Sequence, residues 1–559
     1  MKSSLRIRGL LALSRIGLNG VREDPIHFAL LVSRRFASSK IFLQVTMRIG
    51  RILENRALSK TGFANRMRSS IHLLEGKPNE AFKVLEGSED AKTQCARARI
   101  LAFLGEYEMA FTTAFKAGRR GRRLARQYGA EKTVLSTPVL PKMALANGGR
   151  VKGRKVLHLL SNSLPFTNSG YTQRSHSVLK SIQNAGWDVF PFSRVGYPWI
   201  VGVLPSLETN EIDGVTYRRL LPKTIPDTVT ERLDVQSHLL SEQVKEIDPS
   251  VLHTTTEFLN GISVKEVAES YGIPWVYEVR GQLADTWLSG CDDRSRDSFR
   301  YVSFRAREAE IAKSADAVIT LGSTMKNELI ASGVDPDRIL ICPNAVGEEF
   351  IENVPEKSAS RQELGLDDEM QLIGTVSSLV GYEGLDLLVR AFAGLVPNNP
   401  KLRLVIVGDG TERTRLIDLA AELGVRDRTV FPGRVEKNRA RLYHRALDVF
   451  VVPRRDLDVT RAVTPLKPVE AMAFEVPVVA TDLPALREIV DDGVDGLLFN
   501  AGDQIDLAEK IRILLGDEAV RETMGRAGRR KVLATRTWAA NAERITALYS
   551  SLCDERIKQ

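Results

Sequence analysis

The chain has 559 residues, 43% apolar and 27% charged, a balance ordinary for a soluble globular protein and too long for one core. No apolar run approaches the ~18 residues of a membrane span, and four scattered cysteines (Cys95, Cys291, Cys342, Cys553) form neither a disulfide framework nor a zinc spacing. The net charge of +9 is uneven: residues 1–150 hold 28 of the 79 basic residues and only 11 of the 70 acidic ones, so the remainder is net negative.

The start, "MKSSLRIRGLLALSRIGLNG", is basic, but its short apolar run is broken by arginine and does not read as a signal peptide. Residues 1–150 show no strand alternation and predict short helices. "LLEGKPNEAF" (73–82) and "FLGEYEMAF" (103–111) repeat at a spacing of 29, aligning Gly76 with Gly105 and Phe82 with Phe111. A glycine turn before small and aromatic residues predicts helical hairpins resembling tetratricopeptide repeats. The flanking clusters "SRRF" and "GRRGRRLARQ" suit either a solvated face or an anionic surface such as lipid.

From residue 151 strands alternate with helices: "KVLHLLS", "WDVFPFS", "VTYRRL", "PSVLHTT", "IPWVYEV" and "ADAVITLGS", each followed by a helix-length segment. The pattern restarts near residue 370 with "LIGTVSS", "LRLVIVGDG", "RTVFPGR", "ALDVFVVPRR" and "VDGLLFN". Such alternation predicts parallel β-α-β units, hence two Rossmann-like α/β domains facing a cleft. The expected divisions are 1–150 (helical), 151–345, 346–535, and a closing helix over 536–559.

The richest chemistry lies in "TPLKPVEAMAFEVPVVATD" (464–482). Pro468 suits the first turn of a helix, which places Lys467 and Glu470 at its mouth beside a sheet's carboxyl end. Free N–H groups and the helix dipole favour an anion there, Lys467 adds a full charge, and a carboxylate can accept from ribose hydroxyls. The pattern points to a nucleoside diphosphate. Asp456-Leu457-Asp458 offers too few carboxylates to define a metal site. "VGDGTER" does not complete a dinucleotide fingerprint.

The segment "PVEAMAFEVPVVATDLPALREIVDDGVDGLLF" resembles the C-terminal signature of the family 4 retaining glycosyltransferases, which have the GT-B fold. "NSGYTQRSHSVL", "ADAVITLGSTMKNEL", "ICPNAV", "LRLVIVGDG" and "VFPGRV" agree in order, so the resemblance covers roughly residues 153–550. It implies transfer of a sugar from a nucleotide donor with retention, and no obligatory metal or other cofactor. By it, Glu470 holds the donor ribose, Gly433, Arg434 and Val435 read the base, and Gly170 approaches the donor phosphates. Ser378, Thr464 and Leu466 join this donor group.

The chain also departs from that pattern. Ala462 stands where the first glutamate of the E-x7-E motif belongs, Ser378 and Glu383 replace an arginine and a lysine, and Arg280 replaces a histidine. Arg454, Arg455, Arg461 and Lys467 suggest relocated charge, with Lys467 and Arg454 clamping the leaving diphosphate. Arg280, with Lys467 and Arg454, is the expected catalytic group. Asn168, Arg174, His253 and Glu278 are acceptor candidates, Glu278 and Arg280 being expected to face the cleft.

The leading expectation is a cytoplasmic transferase peripheral to the inner membrane face. Its expected partners are a nucleotide sugar and a glycan or lipid-linked acceptor, with residues 1–150 docking on anionic lipid. A catalytically inactive GT-B scaffold working through its helical repeats is the alternative, followed by an epimerase or phosphorylase. No aromatic-interleaved or helix-turn-helix signature points to nucleic acid.

Overall fold

The computed structural model describes residues 62–136, 153–205, 207–352 and 354–558. The "SRRF" cluster (33–36) lies outside the described residues.

Among the described residues five helices precede the first strand: Gly62–Leu74, Pro78–Lys83, Ala91–Leu104, Tyr107–Lys116 and Arg122–Ser136. Asp90 caps the third by accepting from Lys92 N and Thr93 N, and Pro78 opens the second. The paired glycines turn both hairpins in the left-handed region, Gly76 at φ 79° and Gly105 at φ 88°. Gly105 has a second reason to be glycine: a Cβ there would stand 2.8 Å from both Arg300 Cβ and Trp287. That closeness seats the hairpins on the first α/β domain. Arg294 lies 4.5 Å from the ring centroids of both Phe103 and Trp287, while Ala130, Val134 and Leu135 join that domain's core.

The first α/β domain carries β1 (Lys155–Leu160), β2 (Asp188–Ser193), β3 (Asn210–Ile212), β4 (Val215–Arg219), β5 (Val251–Thr255), β6 (Trp275–Val279), β7 (Ala317–Thr320) and β8 (Ile339–Ile341). Their order is β3-β4-β2-β1-β5-β6-β7-β8, parallel apart from the β3–β4 pair. The second domain holds β9 (Gln371–Val376), β10 (Leu402–Val407), β11 (Thr429–Gly433), β12 (Val449–Val452), β13 (Val478–Thr481) and β14 (Gly496–Phe499). Its order is β11-β10-β9-β12-β13-β14, all parallel. Strands such as "VFVV" read as unbroken apolar runs because helices cover both faces.

The order of the second sheet reverses between β9 and β12, opening a crevice beyond their carboxyl ends. The chain finally returns to the first domain through the helix Trp538–Lys558. Its entry is tied by Val346 N to Arg536 O (2.9 Å) and Trp538 N to Val346 O (3.1 Å). Tyr549 on this helix reaches Trp187 and His253 of the first domain. The expected two-domain GT-B architecture, preceded by helices, is what the chain forms.

Candidate functional site

The cleft between the domains holds a cavity of about 280 Å³. One wall is the start of the helix Gly170–Asn184, whose N-cap Ser169 forms a reciprocal capping box with Thr172. Gly170 lies at that exposed N-terminus, and a Cβ on it would meet nothing within 4 Å. The opposite wall comes from Ser377 and Ser378 after β9, Arg434 and Val435 after β11, and Leu466, Lys467 and Glu470 after β12. Asn168 completes the rim by accepting from Arg434 across the cleft at 3.3 Å.

Lys467 Nζ donates to Ser377 Oγ at 2.7 Å and lies 3.4 Å from a Glu383 carboxylate oxygen. Three residues on, Glu470 remains partly exposed, 3.4 Å from the buried imidazole of His444. His444 stacks on Phe450, so its position follows from packing. Cation and carboxylate therefore stand side by side in the first turn of one helix, facing open volume.

Arg454 sits differently from the expected clamp. It is 7% exposed and does not line the cavity. Its guanidinium grips Glu383 at 3.1 and 3.2 Å and donates to Val463 O at 2.9 Å. Burial alone would raise the Glu383 pKa, but Arg454 and Lys467 override it and hold the carboxyl down to about 2. Glu383, which reads in sequence as a lost cation, is the counter-ion of two new ones. The signal was present: one charge reversal accompanied by two extra basic residues.

The expectation that Arg280 and Glu278 face the cleft needs correction, and the acceptor candidates Arg174 and His253 lie apart from the cavity as well. All four are buried, and none lines the cavity. Glu278 accepts from Arg174 at 2.8 and 2.9 Å, pairs with Arg280, and lies 3.7 Å from His253. Arg280 also donates to Ser175 Oγ and Tyr171 O. Arg174 reaches the interdomain segment at Cys342 O, Pro343 O and Asn344, and packs 5.3 Å from the Trp538 ring centroid. His253 Nδ1 meets Tyr549 Oη at 2.5 Å. The physical reason is that the helix Gly170–Asn184 covers Arg280 through Tyr171 and Ser175, while the closing helix covers His253 through Tyr549 and Arg174 through Trp538. The cluster braces the first domain, the linker and the closing helix.

Thr464 is likewise buried, its carbonyl accepting from Asn344 Nδ2 at 2.8 Å, and Gly433 ends β11 at φ 80° just behind the cavity wall. Asp456 pairs with Arg461 and Asp458 with Arg296, which accounts for the apparent metal motif. Among the described residues no cluster of His, Cys, Asp or Glu suits a metal ion. Two further residues had no sequence signal: Ser377, which pins Lys467, and His444 beside Glu470.

Residues 356–531 match the family model "Glycosyl transferases group 1", and residues 169–345 match "Glycosyl transferase 4-like domain". The chain is 30% identical over 310 residues to D-inositol 3-phosphate glycosyltransferase of Stackebrandtia nassauensis, covering 54% of this chain and 68% of that enzyme. It is 34% identical over 233 residues to a Corynebacterium glutamicum GDP-mannose-dependent monoacylated alpha-(1-6)-phosphatidylinositol monomannoside mannosyltransferase, covering 41% and 58%. Among solved structures, sucrose-phosphate synthase from Thermosynechococcus elongatus superposes with a TM-score of 0.60 at 22% identity, over 71% of this chain and 99% of that one. Anabaena HepE in complex with UDP gives 0.56 at 17%, over 71% and 100%. These likenesses carry the fold, and the sequence matches carry the family. The chain belongs to the family 4 (group 1) retaining glycosyltransferases of GT-B fold and uses a nucleotide-sugar donor.

Proposed function

We propose that this enzyme moves a hexose to a cell-surface glycan or lipid-linked acceptor at a membrane. The observation that carries the site assignment is Lys467 Nζ, held by Ser377 and Glu383 at the cavity wall, one helical turn before Glu470. In this reading Glu470 accepts from the donor ribose, Lys467 and the N-terminus of the Gly170 helix hold the diphosphate, and the segment 433–435 meets the base. Arg454 acts on Lys467 through Glu383 and does not touch the donor. No metal or cofactor is assigned to the step.

The anomeric C–O bond to the diphosphate breaks, and its electron pair passes to the phosphate oxygen beside Lys467. The acceptor hydroxyl attacks on the same face and gives its proton to that leaving oxygen. Positive charge fixed at the point where negative charge develops favours the transition state over the ground state. A lipid-linked acceptor is supported by the mannosyltransferase relative, whose name specifies one.

Isothermal titration with UDP, GDP and ADP tests the reading. Tight binding of one nucleotide, weakened at least about tenfold in both Lys467→Ala and Glu470→Ala, is expected from loss of a charge-assisted contact. Equal binding by parent and both variants would overturn the assignment.

A further inference from the structure

The helical region presents one surface that the transferase site does not use. In the helix Tyr107–Lys116, Phe115 is 70% exposed and Met109 49% exposed. Phe115 is supported from behind by Phe111, ring centroids 6.2 Å apart. The stretch "KAGRRGRR", from the last residue of this helix through the turn into the next, shows Lys116, Arg119, Arg120 and Arg122 exposed, none with an ion pair among the described residues. The nearby acid Glu108 is already paired with Lys132 at 2.7 Å. An exposed aromatic next in sequence to a run of exposed cations suits an anionic lipid interface, where the ring enters the headgroup layer and the cations meet phosphate.

The placement of this surface matters as much as its composition. Arg123 and Arg126, at the start of the next helix, reach Asp227 at 3.3 and 2.9 Å. Asp227 lies in the loop leaving the carboxyl end of β4 and immediately precedes Thr228, which caps the helix Val229–Ile247. β4 runs parallel to β2 and β1, so that loop belongs to the edge of the first sheet that faces the cleft. The hairpins are also fastened to this domain by Arg294 between Phe103 and Trp287. A surface that binds here would hold the rim of the cleft and the domain behind it as one body.

We propose that Phe115 with Lys116, Arg119, Arg120 and Arg122 forms a docking surface for an anionic bilayer, setting the first domain's cleft rim against the membrane. The proposal rests on the glycosyltransferase reading only for its purpose, which is to bring the site to a membrane-borne acceptor. Charge complementarity selects the partner: the surface is cationic while residues 151–559 are net negative, so the bulk of the protein is repelled from the same lipid.

Vesicle flotation of the full chain tests this, using phosphatidylcholine with and without phosphatidylglycerol, and long-chain polyphosphate as a soluble polyanion. The parent should float only with phosphatidylglycerol vesicles, less so at high salt. The Arg119→Glu/Arg120→Glu variant should lose at least about tenfold in partition, from the ordinary contribution of each basic residue at such a surface. Phe115→Ser should weaken flotation severalfold while leaving polyphosphate binding unchanged. Thermal melting and nucleotide titration of each variant should match the parent, which separates failure of docking from failure of the donor site. The proposal is overturned if the parent does not float, if both variants float as well as the parent, or if Phe115→Ser has no effect while the charge reversal weakens vesicle and polyphosphate binding alike. The last result would make the partner a soluble polyanion.

Discussion

Glu383 and Arg454 stand 71 residues apart in sequence and meet through a two-pronged ion pair at 3.1 and 3.2 Å, sealed from solvent, with Lys467 on the open side of the same carboxylate. Removing Glu383 would strand Arg454 as an uncompensated buried charge. Glu383→Ala should destabilise the enzyme by about 3–5 kcal/mol and loosen Lys467 as well. Thermal melting reads the first effect and nucleotide titration the second. A variant with unaltered melting would mean that the pair contributes nothing.

Gly170 occupies open space at a helix N-terminus, so the protein itself would accept a side chain there. The phosphate approach would not. Gly170→Val should melt like the parent yet bind a nucleoside diphosphate at least about tenfold more weakly, with the free nucleoside unaffected. Equal weakening of both ligands would place Gly170 away from the phosphates.

The Glu278 cluster behaves as a brace if its loss is felt in stability. Glu278→Gln leaves Arg174 and Arg280 short of their counter-ion and should cost about 3–5 kcal/mol. Nucleotide affinity at a temperature where the variant stays folded should be close to the parent's. An intact melting temperature together with a raised acceptor KM would restore the acceptor role.

Acid should act on this protein in two stages. Burial chiefly holds the His253 pKa down to about 4 from 6.5, so the unfolded chain takes up that proton first. Its contribution is complete above 6.5 and is lost as the pH falls toward 4. Glu383, lowered from 4.5 to about 2, contributes fully above 4.5 and is lost between those values. Glu308, which burial raises from 4.5 to about 7, acts in the opposite direction over much of the upper interval, so the His253 share is read by difference: between pH 6.5 and 4, His253→Asn should lose less melting temperature than the parent. A profile unchanged by that substitution would refute the assignment.

A contact across the cleft gives the last prediction. The helix Ser323–Ala331 in the first domain lacks a side-chain cap of its own, and Glu488 of the second domain accepts from Ser323 N at 2.8 Å and Thr324 N at 2.7 Å. Glu488→Ala should weaken this closed arrangement by about 0.5–2 kcal/mol, the usual worth of a cap. Small-angle scattering of the nucleotide-free variant should show a larger radius of gyration. An unchanged radius would remove Glu488 as a latch.

Much of this molecule is determined by local sequence. Apolar runs of strand length alternating with amphipathic helices specify two parallel sheets, because only helices on both faces can bury such strands. The spacing of 29 between Gly76 and Gly105 specifies two hairpins through turns that require positive φ. Pro468 and the three-residue step from Lys467 to Glu470 place cation and carboxylate on one helical turn, which needs no knowledge of the rest of the chain. Tertiary structure alone decided what the strand-end residues face. Glu278 and Arg280 stand at the carboxyl end of β6, which could open on the cleft, but the helix Gly170–Asn184 covers them through Arg174, Tyr171 and Ser175, and Tyr549, nearly 300 residues beyond His253, covers that ring within β5. Arg454 turned inward because Glu383 reached its strand end from β9. Such pairings depend on which strands lie adjacent and which helix returns, long-range choices set by packing the whole chain, and no local pattern of charge or hydropathy encodes them.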